Sequence, residues 1–239
     1  MGMGVERVKT YIHNFDDYIQ GGVPKGHVIL ISGTPGTMKS SVCYSILYNN
    51  AKNNGVRSVY MTLEQSKENL LQQMELMGMN DPKVQEMVYV LDLATIRKNV
   101  TEMMAKGSWL QVFKMYAETV KKDLGFDLLV LDSLDVLEMA AQLTNDRRND
   151  LFYLFMWLRG MNITSFLIAE TPVDNINGGR FEEGYLADGV ISLKLQNIGE
   201  TDVQRRIRAV KLRSTNHKTG YFSLMFSDGM FRATQVINE

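Results

Sequence analysis

The chain has 239 residues, 45% of them hydrophobic and 22% charged, with a formal net charge of -1. Such a chain can bury a sizeable core, and its balanced charge excludes a histone-like basic binder and an acidic disordered tail. The single cysteine, Cys43, excludes an internal disulfide and a cysteine-cluster metal site. His13, His27 and His217 are scattered without metal-ligand spacing. No basic leader precedes an apolar run, and no apolar run reaches the ~18–20 residues of a membrane helix. A cytoplasmic protein without membrane insertion is the expectation.

In chain order, short β-rich runs alternate with longer helical patterns, which reads as α/β with a largely parallel sheet flanked by helices. His27–Ser32 is a continuous apolar run, as expected of a strand covered on both faces. A helix over Ser40–Asn53 follows, then a strand over Ser58–Leu63. Ser66 can cap the next helix, which carries Leu70, Met74 and Met77. A strand is expected over Met87–Leu93, and a helical stretch over Thr95–Leu124, interrupted at Gly107. Phe126–Leu131 is the most apolar strand, and Asp132 follows it. A helix over Asp146–Met161 and a buried strand over Ile163–Ala169 come next. Beyond a polar loop at Val173–Gly184, strands at Gly189–Leu195, Gln204–Arg213 and Tyr221–Phe226 are expected to run antiparallel. The whole of 1–239 reads as one domain.

The sharpest motif is Gly33-Thr34-Pro35-Gly36-Thr37-Met38-Lys39-Ser40-Ser41, set between a strand and a helix. In a phosphate loop of this kind, successive backbone N–H groups and the helix N-terminus face the anionic phosphates. Lys39 supplies a cation for the β- and γ-phosphates of ATP, and the Ser40 hydroxyl can complete a Mg²⁺ shell. Met38 stands where the pattern GxxxxGK(S/T) has its second glycine. If that residue needs positive φ, methionine costs something.

Two carboxylates suit this loop. Asp132, after the apolar strand, has the Walker B position and can order Mg²⁺, often through water. Glu64, ending the strand Ser58–Leu63, would face the same crevice and could orient or deprotonate a water.

The segment 194–218 holds seven Lys/Arg against two acids. Strict alternation along Arg206–Arg213 puts Arg206, Arg208 and Val210 on one face, and Ile207, Ala209, Lys211 and Arg213 on the other. Lys211 and Arg213 together are placed to meet a phosphate, one held by another subunit included. The same strand also reads as a solvated edge blunted by charge. Nucleic-acid binding has weak support, because aromatics are missing until Tyr221 and Phe222.

Taken together these residues resemble the KaiC-like branch of the RecA superfamily of ATPases. The blocks that carry the resemblance are Gly21–Gly26 (GGVPKG), Val59–Gln65 (VYMTLEQ), Leu128–Ser133, Ala187–Ile191 (ADGVI) and Lys211–His217 (KLRSTNH), in order from about residue 10 to 230. The resemblance implies a RecA-type P-loop fold and Mg-ATP held at a subunit interface of a ring, commonly a hexamer. It implies Glu64 as the water-activating residue, and Lys211 and Arg213 acting in trans on the neighbour's γ-phosphate. The chain departs from the pattern at Met38 and at Gln65, the second member of the Glu pair. Its loop Val173–Gly184 has neither Ser nor Thr, so autophosphorylation there is unsupported. The expected activity is slow ATP hydrolysis coupled to assembly or partner contact. The alternatives are a nucleotide-regulated signalling or motility scaffold with little turnover and, third, a DNA-dependent recombinase-like ATPase.

Overall fold

The computed structural model describes residues 4–93, 95, 109–141, 147–170 and 183–236. Among these, nine strands form one sheet in the order β11-β10-β9-β8-β3-β7-β6-β4-β5. At its centre is β3 (Val28–Gly33), hydrogen-bonded in parallel to β7 (Thr164–Ala169) on one side and β8 (Gly189–Ile198) on the other. β6 (Leu128–Asp132), β4 (Ser58–Thr62) and β5 (Val88–Asp92) extend the parallel part. β9 (Asp202–Leu212), β10 (Phe222–Ser227) and β11 (Met230–Gln235) continue it antiparallel beyond β8. A small ribbon, β1 (Arg7–Val8) with β2 (Val23–Pro24), stands apart.

Every residue of β3, β4, β6 and β7 is buried, because helices cover both faces. That is why these strands read as unbroken apolar runs rather than alternating ones. On one face Ile29, Ile31, Val130, Phe166 and Ile168 pack with residues of α1 (Lys39–Asn54) and α2 (Lys67–Leu76). On the other, Val28, Leu30, Leu129, Leu131 and Leu167 pack with α4 (Trp109–Leu124), α5 (Leu134–Ala141) and α6 (Arg147–Gly160). The short α3 (Pro82–Gln85) precedes β5, and α7 (Glu183–Leu186) precedes β8. Ser66 caps α2 as expected, accepting from the Asn69 amide at 3.3 Å.

Three features differ from the sequence expectation. β11 and α5 are among the additional elements: β11 opens at the exposed Met230 after a turn, and α5 starts at Leu134, with Ser133 alone between it and β6. β4 stops at Thr62, so Glu64 lies beyond the strand rather than ending it. There the Thr62 hydroxyl donates to the Gln65 carbonyl and accepts from its amide, which closes a turn. The third concerns β9. Val190 pairs with Lys211 but Ile191 pairs with Ala209, leaving Val210 as a bulge. The bulge breaks strict alternation: Ile207 and Ala209 join the α1 side, while Lys211, opposite Val190, falls on the α6 side. Lys211 and Arg213 stay together, but on the face opposite to Ile207 and Ala209. Residues 96–108 of the expected helical stretch, and 173–182 of the expected polar loop, lie outside the described residues.

Asp188, just before β8, ties three parts of the fold together. Its carboxylate accepts from the Val28 amide at 3.1 Å, from Arg159 Nε at 2.8 Å and from Arg213 Nη1 at 2.9 Å. Burial alone would raise its pKa, but the Arg159 hydrogen bonds, the Val28 amide and Arg213 leave it below the ordinary aspartate value. Its stabilisation is therefore complete above the unfolded-state pKa and is lost as pH falls through the lower folded-state value. Asp188→Ala is expected to cost about 3–5 kcal/mol, since it strands buried donors and a cation. Urea unfolding at pH 7 checks the loss, and the difference between variant and wild type should shrink as pH falls below the unfolded-state aspartate value.

Candidate functional site

The parallel strands β3, β4, β6 and β7 end at one edge of the sheet, and the cleft there has a volume of about 420 Å³. The phosphate loop forms its floor. Gly33 is required by close approach, because a Cβ there would lie 2.4 Å from the Leu193 carbonyl oxygen. Gly36 has φ +82°, a conformation that only glycine adopts without cost. Met38 immediately before α1 is also left-handed, with φ 70° and ψ 31°. The loop thus has the backbone that a glycine would allow, held by a methionine, at a cost of roughly 1–2 kcal/mol.

Lys39 is 9% exposed, and its ammonium donates to the carbonyls of Gly33 at 2.8 Å and Thr34 at 3.1 Å. Thr37 Oγ1 donates to the same Thr34 carbonyl at 2.7 Å, so Thr37 braces the loop from within. Pro35, Gly36, Met38, Lys39, Ser40 and Ser41 line the cleft, as do Glu64 from the turn after β4 and Asp132 from the end of β6. Gly33, Thr34 and Thr37 shape the loop without lining the cleft. Lys211 and Arg213 are elsewhere in the same subunit. Lys211 Nζ donates to the carbonyls of Gly184, Tyr185 and Ala187 at the end of α7, and Arg213 meets Asp188 and the Tyr185 carbonyl.

Asp132 is 2% exposed. Burial raises its pKa, Glu64 nearby adds to the rise, and hydrogen bonds from Tyr60 and Ser40 oppose it, leaving the group above the ordinary aspartate value. Tyr60 donates to Asp132 Oδ2 at 2.5 Å from the interior of β4. Glu64 is exposed to the cleft, and its Oε1 accepts from Ser133 Oγ at 2.5 Å. Arg205 on β9 reaches the loop from the side, its Nε donating to the Gly36 carbonyl at 3.1 Å.

Tyr60, Ser133 and Arg205 are the residues that the motifs did not single out. Tyr60 and Ser133 lie inside the quoted blocks, but as an apolar strand position and a strand-following serine. Arg205 comes from a strand more than 160 residues away, so only the pairing of β8 with β9 brings it to the loop.

A strand–phosphate loop–helix unit at the centre of a mostly parallel sheet, with a buried Asp ending a neighbouring strand, defines a P-loop ATPase domain of the RecA type. Residues 8–231 match the family model described as KaiC ATPase. A UPF0273 protein of Aeropyrum pernix is 30% identical over 224 residues, covering 89% of this chain and 87% of that protein. The circadian clock oscillator protein KaiC of a Nostoc species is 25% identical over 261 residues, covering 98% of this chain but 47% of its own length. This chain therefore spans about half of that clock protein. The crystal structure of a KaiC-like protein from Pyrococcus horikoshii superposes with a TM-score of 0.81 at 26% identity, over 97% of this chain and 100% of that one. The chain belongs to the KaiC ATPase family, and an ATP-binding, ATPase-type domain is what that family supports.

The hydroxyls of two neighbouring tyrosines separate what Tyr60 does from mere filling of space. Tyr60 OH bonds Asp132, whereas Tyr44 OH is buried with no hydrogen-bond partner among the described residues. Tyr60→Phe is expected to cost about 1–3 kcal/mol, because it leaves a buried carboxylate oxygen short of a donor. Tyr44→Phe should be neutral or slightly stabilising. Equilibrium urea denaturation of the two variants measures the contrast.

Proposed function

We propose that the protein binds ATP with Mg²⁺ in this cleft, hydrolyses it slowly, and uses nucleotide state to govern assembly into a ring and contact with a protein partner. The observation that carries the reading is the convergence of Lys39, Ser40, Glu64 and Asp132 on one cleft at the carboxyl edge of the sheet. The cytoplasmic location and the single-domain organisation over 1–239 expected from the sequence remain parts of this reading.

The donors suit a small hard cation. Ser40 offers a hydroxyl and Asp132 a buried carboxylate, both oxygen ligands, and a Mg²⁺ ion with phosphate oxygens and waters would complete such a set. When bound, it neutralises charge on the β- and γ-phosphates. Ser40 and, directly or through water, Asp132 would hold it. Tyr60 keeps Asp132 in one orientation. Lys39 leaves the loop carbonyls to meet the phosphates. Glu64, held through Oε1 by Ser133, positions the attacking water with Oε2. Lys211 and Arg213 complete the site of a neighbouring subunit in a ring, for which a hexamer is the family-like expectation.

A second reading is a nucleotide-regulated signalling or motility scaffold with little turnover. It is favoured by Gln65, an uncharged side chain in the cleft beside Glu64, and by Met38 in its left-handed conformation. Phosphate release by wild type and by Glu64→Gln, at equal ATP occupancy, separates the two. The enzyme reading expects a loss of roughly 100-fold or more; equal rates leave the scaffold reading. Lys39→Ala should abolish ATP binding by calorimetric titration while the fold survives.

The loop strain gives a separate expectation. Met38→Gly relieves a left-handed methionine, so ATP affinity should be retained or increase up to about tenfold, the scale of 1.4 kcal/mol. Loss of affinity would mean that the methionine side chain itself contacts the nucleotide. For the trans arrangement, Glu64→Gln and Arg213→Ala subunits, each inactive alone, should recover phosphate release when mixed. Recovery in the mixture, with none in either parent, distinguishes a shared site from damage to the Asp188 contacts.

A further inference from the structure

The face of β8 and β9 turned away from the phosphate loop carries positive charge with no ion pair among the described residues. Lys194 and Arg206 are directly opposite each other across the two strands, and Ser192 is opposite Arg208. Like charges in a cross-strand pair repel. Arg206 is only 7% exposed, yet its guanidinium has no hydrogen-bond or ion-pair partner among the described residues. Arg208 Nε is buried and likewise unpartnered. Asp202, the acid that shares this side of β9, is four residues from Arg206, or about 13 Å along a strand. A buried guanidinium nitrogen without an acceptor, as at Arg208 Nε, is costly, and such local conflicts mark sites where something else supplies the counter-charge.

Tyr221 sets the geometry of the cluster. Its ring centroid is 4.1 Å from Lys194 Nζ and 4.5 Å from the Arg208 guanidinium carbon. The ring is thus engaged by two cations and works as a spacer, not as a free platform for stacking a base. That disfavours a single-stranded nucleic acid and favours a compact anion. Two arginines and a lysine on one face match phosphate oxygens, which guanidinium groups can bind in pairs. The cluster is also separate from the ATP cleft, because Arg205, the next residue along β9, points the other way onto Gly36.

We infer that Lys194, Arg206 and Arg208, spaced by Tyr221, form a second anion site, which takes a compact, multiply charged phosphate. The phosphate comes either from a free polyphosphate or from a nucleotide carried by a second copy of the chain. Lys194 gives an accessory sign of the same crowding: burial and the adjoining Arg208 and Arg206 lower its pKa.

Calorimetric titration of the full chain with tripolyphosphate, at low salt and without Mg²⁺, tests the inference. Wild type should show two sites, one of them the phosphate loop. Lys39→Ala should keep only the site on β8 and β9, and Arg206→Gln with Arg208→Gln should keep only the loop. Lys194→Gln, on a half-buried side chain, should weaken the second site at least tenfold, which keeps the test intact should the double variant fail to fold. A single site in wild type, or two sites surviving in the double variant or unweakened in Lys194→Gln, would overturn the proposal. Sedimentation identifies the source. Binding of tripolyphosphate at unchanged sedimentation supports a free anion. A sedimentation increase that requires ATP and is lost in Lys194→Gln supports a nucleotide carried by a second copy.

Discussion

The constraint on which the site depends is the burial of β3 between two parallel neighbours. A strand hydrogen-bonded in parallel on both sides and covered by helices on both faces cannot turn back at its end by a hairpin. It must leave the sheet into a helix, and the exposed amides of that helix start then lie at the carboxyl edge with the ends of β4, β6 and β7. The phosphate loop and the carboxylates meet because the sheet is parallel there, not because they are near in sequence. Gly33 shows how tight the arrangement is: the β8 carbonyl at Leu193 leaves no room for a Cβ.

Around that edge, Asp132 and Glu64 are held by neutral hydroxyls. Tyr60 holds Asp132 and Ser133 holds Glu64. The two carboxylates therefore keep separate orientations in a region where burial and mutual repulsion work against charge on Asp132. A hydroxyl donor favours the ionised form without adding a competing cation, so the net negative charge of the cleft stays available to a metal ion and to Lys39. The same logic separates the two tyrosines of this core. They are chemically alike, but one hydroxyl meets a carboxylate and the other has no partner among the described residues.

The strands and the loop were legible because their signals are local. An unbroken apolar run such as Ile29–Ile31 or Leu128–Leu131 needs no partner to be recognised, and a Gly-rich turn before Lys39 and Ser40 carries its mechanism with it. Glu64 and Asp132 were found by their place after such runs. What was not legible depends on pairing between distant segments. The bulge at Val210 has no signature in the alternation of Arg206–Arg213, and it reverses which face Lys211 and Arg213 share. Tyr60 reads as a β-former with an aromatic ring, and only the register of β4 on β6 sets it beside Asp132. Arg205 and Arg206 are adjacent in sequence, yet pleating sends one to the phosphate loop and the other to the opposite face.

The two cations that share this face hold different partners. Lys211 spends its three donors on three carbonyls at the end of α7, a site where a cation is favoured by the helix dipole. Burial and the Arg213 charge lower its pKa, so its position is one of partial desolvation. To touch a neighbour's phosphate it would have to give up all three contacts. Arg213 is different. Its side chain is 51% exposed, and it spends Nη1 on Asp188 and Nη2 on the Tyr185 carbonyl at a long 3.3 Å. A guanidinium has five N–H donors in a planar fork, so Arg213 can keep its hold on Asp188 and still present an edge outward. In the proposed ring, Arg213 can reach across while anchored from behind by the carboxylate that also fixes the start of β3, whereas Lys211 reaches across only by leaving α7. Lys211 holds α7 against the sheet and so sets where that anchor stands.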